Sequence, residues 1–455
     1  MRRSGKTSAS TRGALPKLVV VGGGLAGCEA AWQAARRGVD VKLVEMRPTR
    51  CSPAHQSEDL AELVCSNSLR ANGLANAVGL LKEEMRRLDS LVLRAADATA
   101  VPAGRALAVD RQAFSRHISD AIAAHPRIDL CREVAMRIPD APLVILATGP
   151  LTATELAGEL QQLLGEAYLY FYDAIAPTVY GDSIDPEVAF RASRYEPGEG
   201  DYLNLPLDSD QYSAFIDALL TAETVPLHRV ESCLYFEGCL PIEELARRGR
   251  HTPAFGPMKP VGLVDPRTGS RPAAVVQLRR EDKDGVLYNL VGFQTKLRIA
   301  EQRRIFRGLP GLSKAVFARY GSMHRNTYVN APRLLRETLE VRTRPGLYLA
   351  GQMAGVEGYV ESAALGIVAG VNAAFAARGM APIIPPEDTA HGALLRYLIN
   401  SDPKHFQPTN VNYGLFPALS AVPGRLPKRE KNRRLTERAL ASLVSYRDAS
   451  QQWLE

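Results

Sequence analysis

This sequence predicts an α/β fold, a parallel doubly wound sheet interrupted by an inserted α+β region, on three observations. The first is a strand, glycine turn, helix and second strand in residues 17–48, KLVVVGGGLAGCEAAWQAARRGVDVKLVEMRP. The second is an apolar run, PLVILATG, ending in Ala147-Thr148-Gly149. The third is a strand followed by a glycine-rich loop and an apolar helix of small residues over 347–374. Between the second and the third, from about 179 to 325, the helix–strand alternation fades and short strands stand among Pro and Gly turns.

Taken in order, residues 1–16 are basic and rich in Ser and Thr without an apolar core, so they read as a solvated tail with no export signal. Leu18 to Val21 suit a strand buried on both faces, and Gly22, Gly24 and Gly27 then supply G-x-G-x-x-G, with Gly23, Leu25 and Ala26 completing the turn into the helix. The first glycine permits the turn, the second lets a pyrophosphate approach bare backbone at a helix N-terminus, and the third lets helix and strand pack closely. Glu45 ends the second strand, where a carboxylate hydrogen-bonds a ribose diol and repels a 2′-phosphate. FAD or NAD therefore fits better than NADP.

Residues 77–88 have helical periodicity, and Cys65-Ser66-Asn67-Ser68 reads as a polar loop that puts Cys65 near a surface or cleft. A helix over 111–125, a strand over 128–131 and a strand over 142–149 follow. The last returns the chain to the sheet beside the cofactor, as two-dinucleotide flavoproteins do and a class I methyltransferase does not need. In 347–374, Gly351, Gln352, Gly355, Gly358 and Gly366 let backbone and a helix N-terminus crowd a second part of the same cofactor, the flavin pyrimidine edge. Paired fingerprints favour FAD over NAD. The expected division is a tail (1–16), a Rossmann-like FAD-binding domain in two parts (17–178 and 326–455) and an inserted substrate domain (179–325). The C-terminal stretch GRLPKREKNRRLTERAL reads as a basic tail, a solvated helix face or an RNA contact.

With 455 residues, 46% hydrophobic and 23% charged, the chain can bury a large core. No run of 18 or more apolar residues is evident, so no membrane span is expected. The six cysteines form no C-x-x-C pair and no zinc spacing, which points to free thiols in a reducing cytoplasm and to no metal. A net charge of +7 is compatible with a polyanionic partner.

Dispersed blocks carry a specific resemblance: ELVCSNSLR around Cys65, VPAGRALAVDR, YFEGCLPIEE around Cys239, GPMKPVGL, GFQTKL, MHRNTYVNAP, GYVESAALG and NVNYGLFPAL. The chain resembles the TrmFO family of folate- and FAD-dependent tRNA uracil-5-methyltransferases from about Leu18 to the C-terminal region. The related flavoproteins that modify wobble uridines share the fold but have a longer chain.

The resemblance implies methylation of a T-loop uridine of tRNA, at position 54, with carbon from methylenetetrahydrofolate, hydride from reduced FAD, and NAD(P)H to regenerate the flavin. It implies two catalytic thiols: Cys239 as nucleophile at uracil C6 and Cys65 as base for the C5 proton, with the two roles exchangeable. Lys296 and Arg279 are candidates to favour a thiolate. Tyr359 is placed near the flavin, with His324 and Asn326 where a pterin would stack, and Lys428 is placed as a proton donor or RNA contact. Two other readings stay open, the same chemistry on a ribosomal RNA uridine and a flavin-containing RNA-binding protein without turnover. The oligomeric state is also left open.

Overall fold

The strand Leu18–Val21 is apolar throughout because it is buried along its whole length. In the computed structural model it is the middle strand of a five-stranded parallel sheet, flanked on one side by Val41–Glu45 and Ile128–Arg132 and on the other by Val144–Leu146 and Leu347–Leu349. The structure describes residues 18–52, 54–165, 168–194, 200–225, 240–419 and 426–451, with backbone alone for 168–174 and 323–326. The strand expected over 142–149 is confined to Val144–Leu146, because Ala147 to Gly149 leave the sheet at its C-terminal edge.

Two helices pack closely over this sheet. Leu25–Ala35 follows the glycine turn, and Tyr359–Ala377 crosses it with Gly366 and Gly370 at the contact. A Cβ on Gly366 would stand 2.4 Å from the Ala26 carbonyl oxygen, and one on Gly370 would stand 2.5 Å from that of Ala30. Gly366→Val should therefore cost about 1–3 kcal/mol or more through overpacking against backbone, read as a lowered melting temperature. Tyr359–Ala377 has 19 residues and a mean hydropathy of 1.5, long and apolar enough to cross a membrane, contrary to the expectation from sequence. Here 83% of that stretch is buried inside the protein, and its apolar composition is that of a core helix.

The inserted region forms a second sheet of six antiparallel-paired strands, in the order Phe190–Ala192, Tyr202–Leu207, Ala274–Arg280, Leu287–Leu290, Thr178–Tyr180, Phe317–Arg319. It has its own core, which includes Val179, Leu205, Ile216, Phe293 and Phe306. A two-stranded antiparallel ribbon, Tyr168–Ile175 against Ser322–Val329, carries the chain into and out of this unit.

The basic C-terminal stretch is not a free tail. Lys428–Gln451 is one helix, and Leu435, Ala439, Leu443 and Tyr446 are buried along it. Those positions recur at helical spacing and form a narrow apolar stripe. Arg37 Nε donates to the Ser450 carbonyl at 2.9 Å and Asn432 Nδ2 to that of Ala75 at 3.1 Å, which holds both halves of the helix against the first domain.

Candidate active site

The glycine turn, the Ala147-Thr148-Gly149 edge and the Gly351-Gln352 turn meet at the C-terminal ends of the parallel strands, where α/β sheets hold their ligands. Together they line one cleft of about 1070 Å³, counting its open mouth. Gly22, Gly24, Leu25, Ala26, Glu45, Ala147, Thr148, Gly149, Gly351, Gln352 and Tyr359 all face it. Gly23, Gly27 and Gly358 are not among the residues that line it. Gly22 has φ +105°, and a Cβ there would be 2.5 Å from the Ala147 oxygen. A Cβ on Gly27 would be 1.8 Å from the Gly22 oxygen, so the helix can approach the strand only without a side chain at this position.

Gly24 is different. A Cβ there meets nothing within 4 Å, so the N-terminus of Leu25–Ala35 opens onto unfilled space in the cleft. An exposed helix N-terminus with bare backbone fits a pyrophosphate. Glu45 is buried, with one oxygen accepting from Gly23 N at 2.6 Å and the other from Arg47 N and Nε at 3.1 and 2.8 Å. Burial opposes its ionisation, but the Arg47 charge and these hydrogen bonds outweigh it and hold the carboxyl below its ordinary value. A charged carboxylate retains lone pairs for a ribose diol. The residues present therefore fit a dinucleotide such as FAD.

At the other end of the cleft, the Tyr359 hydroxyl accepts from the backbone N–H of Cys65 at 2.7 Å and of Ser66 at 3.2 Å. Burial pushes this phenol well above its ordinary pKa and keeps it neutral. Tyr359 opens the long helix Tyr359–Ala377, so the second glycine fingerprint and the Cys65 loop are joined through one side chain.

Three arginines hold the same loop on either side of Cys65. Arg111 donates to the Leu63 carbonyl and Arg319 to that of Val64, while Arg279 donates from Nε to Asn67 Oδ1 at 2.8 Å and from Nη2 to Ser66 Oγ at 2.6 Å. Arg279 and Arg319 come from the inserted sheet and Arg111 from the helix Arg111–Ala123. Burial weakens the hold of Arg279 and Arg319 on their protons, while negative charge on Cys65 or Glu281 strengthens it. Glu281 pairs with Arg111 at 2.8 Å through Oε2, and its Oε1 has no hydrogen-bond partner among the described residues. Three guanidiniums stand against one carboxylate, which favours a further anion here, and Cys65 lies within electrostatic reach of all three.

Of the two cations proposed from sequence, Arg279 is thus at the loop. Lys296 instead pairs with Glu244 at 2.5 Å. Arg111, Arg319 and Glu281 were not foreseen. Cys239 lies outside the described residues. Just after it, Glu243 is fully buried and accepts from Thr295 Oγ1 at 2.8 Å and Lys296 N at 2.7 Å, which ties the GFQTKL block to the helix Ile242–Arg248.

His324 and Asn326 sit in the ribbon strand opposite Asp173 and Phe171, and their side chains lie outside the described residues. The next residue of that strand, Thr327, bonds to the carbonyl of Pro150, a cleft residue, from both N at 3.3 Å and Oγ1 at 3.2 Å. Lys428 is exposed at the start of the C-terminal helix and is not among the residues that line the cleft. On that helix Arg433 pairs with Glu430 and Glu437, and Arg434 with Glu430, so these charges are answered by acids of their own helix.

Residues 17–381 match the family model described as glucose inhibited division protein A. The chain is 57% identical over 431 residues to the methylenetetrahydrofolate–tRNA-(uracil-5-)-methyltransferase TrmFO of Desulforudis audaxviator, covering 94% of this chain and 98% of that protein. It is 59% identical over 428 residues to the TrmFO of Geotalea uraniireducens, with the same coverages. Among solved structures, Aquifex aeolicus GidA superposes with a TM-score of 0.67 at 18% identity, over 96% of this chain and 74% of that one, a likeness of fold. The chain belongs to the glucose inhibited division protein A family and, within it, to the TrmFO family.

Proposed function

We propose that this protein methylates uracil C5 in the T loop of tRNA, taking the carbon from methylenetetrahydrofolate. FAD bound in the cleft supplies, once reduced at the expense of NAD(P)H, the hydride that brings the transferred methylene to a methyl group. The observation that carries the reading is the single cleft in which both glycine fingerprints meet the Cys65 loop through Tyr359.

Each residue then has a defined task. The backbone at Gly22 to Gly24 and the helix N-terminus hold the pyrophosphate, Glu45 the ribose, and Gly351, Gln352 and Gly358 the flavin end. A thiolate at Cys239 adds to C6 of uracil and makes C5 nucleophilic. Cys65, on the loop held by Tyr359 and the three arginines, takes the C5 proton after the carbon has been transferred; tetrahydrofolate then leaves that carbon, hydride reaches it, and the C6–S bond breaks to return Cys239 as a thiolate. The reverse assignment of the two thiols gives the same overall reaction. His324 and Asn326 are carried over as folate contacts, and Lys428 as an RNA contact. Residues 17–178 and 326–455 hold the cofactor while 179–325 present the RNA, and the reaction runs in the cytoplasm.

Mass-spectrometric mapping of 5-methyluridine in a strain lacking the protein tests the substrate. The expected result is loss of the modification from the tRNA T loop with ribosomal RNA unchanged. Loss from ribosomal RNA alone would replace tRNA by that substrate.

A further inference from the structure

Phe255 is 82% exposed, at the end of the one-turn helix Thr252–Phe255 in the inserted domain. Its surroundings are well anchored. Pro253, Met258 and Leu263 are buried, Val275 N donates to the Met258 oxygen at 2.9 Å, and Gly256 N to that of Thr252 at 3.0 Å. A fixed backbone thus holds an aromatic ring out in water, where the gain from burying it is not realised.

The flanking sequence is strongly basic. Arg247, Arg248, Arg250, Lys259, Arg267 and Arg271 stand against one carboxylate, Asp265, over 247–271. Arg247, Arg250 and Arg267 are answered by Glu244, Asp217 and Asp265 at 2.6–2.7 Å. Arg271 is exposed and has no carboxylate partner among the described residues. The stretch continues from the helix Ile242–Arg248, which begins three residues after Cys239 in sequence. An exposed aromatic in a stretch of net positive charge, with Arg271 unanswered by a carboxylate among the described residues, matches single-stranded RNA, whose unpaired bases stack on aromatic rings while phosphates take a cation.

We propose that Phe255 is a stacking platform for an unpaired base of the RNA substrate, with Arg271 taking a neighbouring phosphate. This rests on the RNA-methylating reading above. The test is the affinity of the full-length flavin-loaded protein for a T-arm stem-loop RNA, measured across a salt series. FAD content and melting temperature serve as controls on folding.

Phe255→Ala and Phe255→Leu should each weaken binding about tenfold, Leu because it is apolar but has no aromatic face, and Phe255→Trp should retain it. The salt slope should be unchanged in Phe255→Ala and fall by about one in Arg271→Gln. Unchanged affinity in Phe255→Ala, or equal loss in Phe255→Trp and Phe255→Ala, would overturn the proposal. So would a wild-type dimer that Phe255→Ala dissociates without change in RNA affinity, since the ring would then meet a second copy. A wild-type protein that neither binds nor methylates tRNA would instead remove the reading beneath it.

Discussion

Gly24→Val is expected to give a folded, colourless protein. Gly24 has φ −78° and ψ −173°, an extended conformation open to any residue, and a Cβ there would meet no protein atom within 4 Å. The valine would occupy the space at the helix N-terminus where the pyrophosphate sits, with a loss of FAD affinity on the order of a hundredfold, or ~3 kcal/mol. Weaker helix capping adds about 1 kcal/mol to the cost in stability. Gly27→Val should behave differently, because its Cβ collides with the Gly22 oxygen at 1.8 Å and the helix must leave the strand. That variant should lose stability and flavin together, by more than about 3 kcal/mol. Flavin absorbance and thermal melting separate the two cases, and a yellow Gly24→Val would contradict the placement of the cofactor.

The second large effect concerns Cys65. Cys65→Ser should slow methylation by about 10²–10⁴-fold, the range that a positioned proton acceptor contributes. Flavin should stay bound, since the loop is held by Tyr359 and the arginines through backbone and through Ser66 and Asn67. Arg279→Met keeps bulk but removes a charge and two hydrogen bonds from that loop. Alkylation of Cys65 by iodoacetamide, followed by peptide mapping, should slow by about tenfold because less of the thiol is ionised. Arg279→Lys should recover only part of this, since a lysine cannot reproduce the two-pronged contact. Unaltered alkylation in Arg279→Met would show that the guanidinium serves packing alone.

What the sequence made legible was the part that local rules determine. The unit from Leu18 to Glu45 combines a doubly buried strand, a glycine turn that only backbone can fill and a terminal acid, and the structure places these together. The Cys65 loop was readable as polar, and its family motif marked it. Of its arginines Arg279 alone was named from the sequence, and Arg111 and Arg319 were not readable. Residues 111, 279 and 319 are far apart in the chain, and only the seating of the inserted sheet against the first domain brings them to one loop. The C-terminal stretch was readable as charged, as a tail or a solvated helix face, and its many charges obscured the buried stripe of Leu435, Ala439, Leu443 and Tyr446. The helix Tyr359–Ala377 was readable as apolar and rich in small residues, and the structure buries it in the core. Cys239 and the side chains of His324 and Asn326 rest on the family likeness, being outside the described residues.

The central claim is the origin of the methyl carbon, and isotopic transfer tests it most directly. T-arm RNA would be incubated with the flavin-loaded protein, NAD(P)H and methylenetetrahydrofolate carrying ¹³C in the methylene group, with unlabelled S-adenosylmethionine present. A folate methylene is one oxidation level above a methyl group, so product requires two further electrons and should fail to accumulate without reductant. The account predicts ¹³C in the 5-methyl group of the RNA and dependence of turnover on NAD(P)H. Unlabelled 5-methyluridine, formed at the same rate with or without reductant, would contradict it.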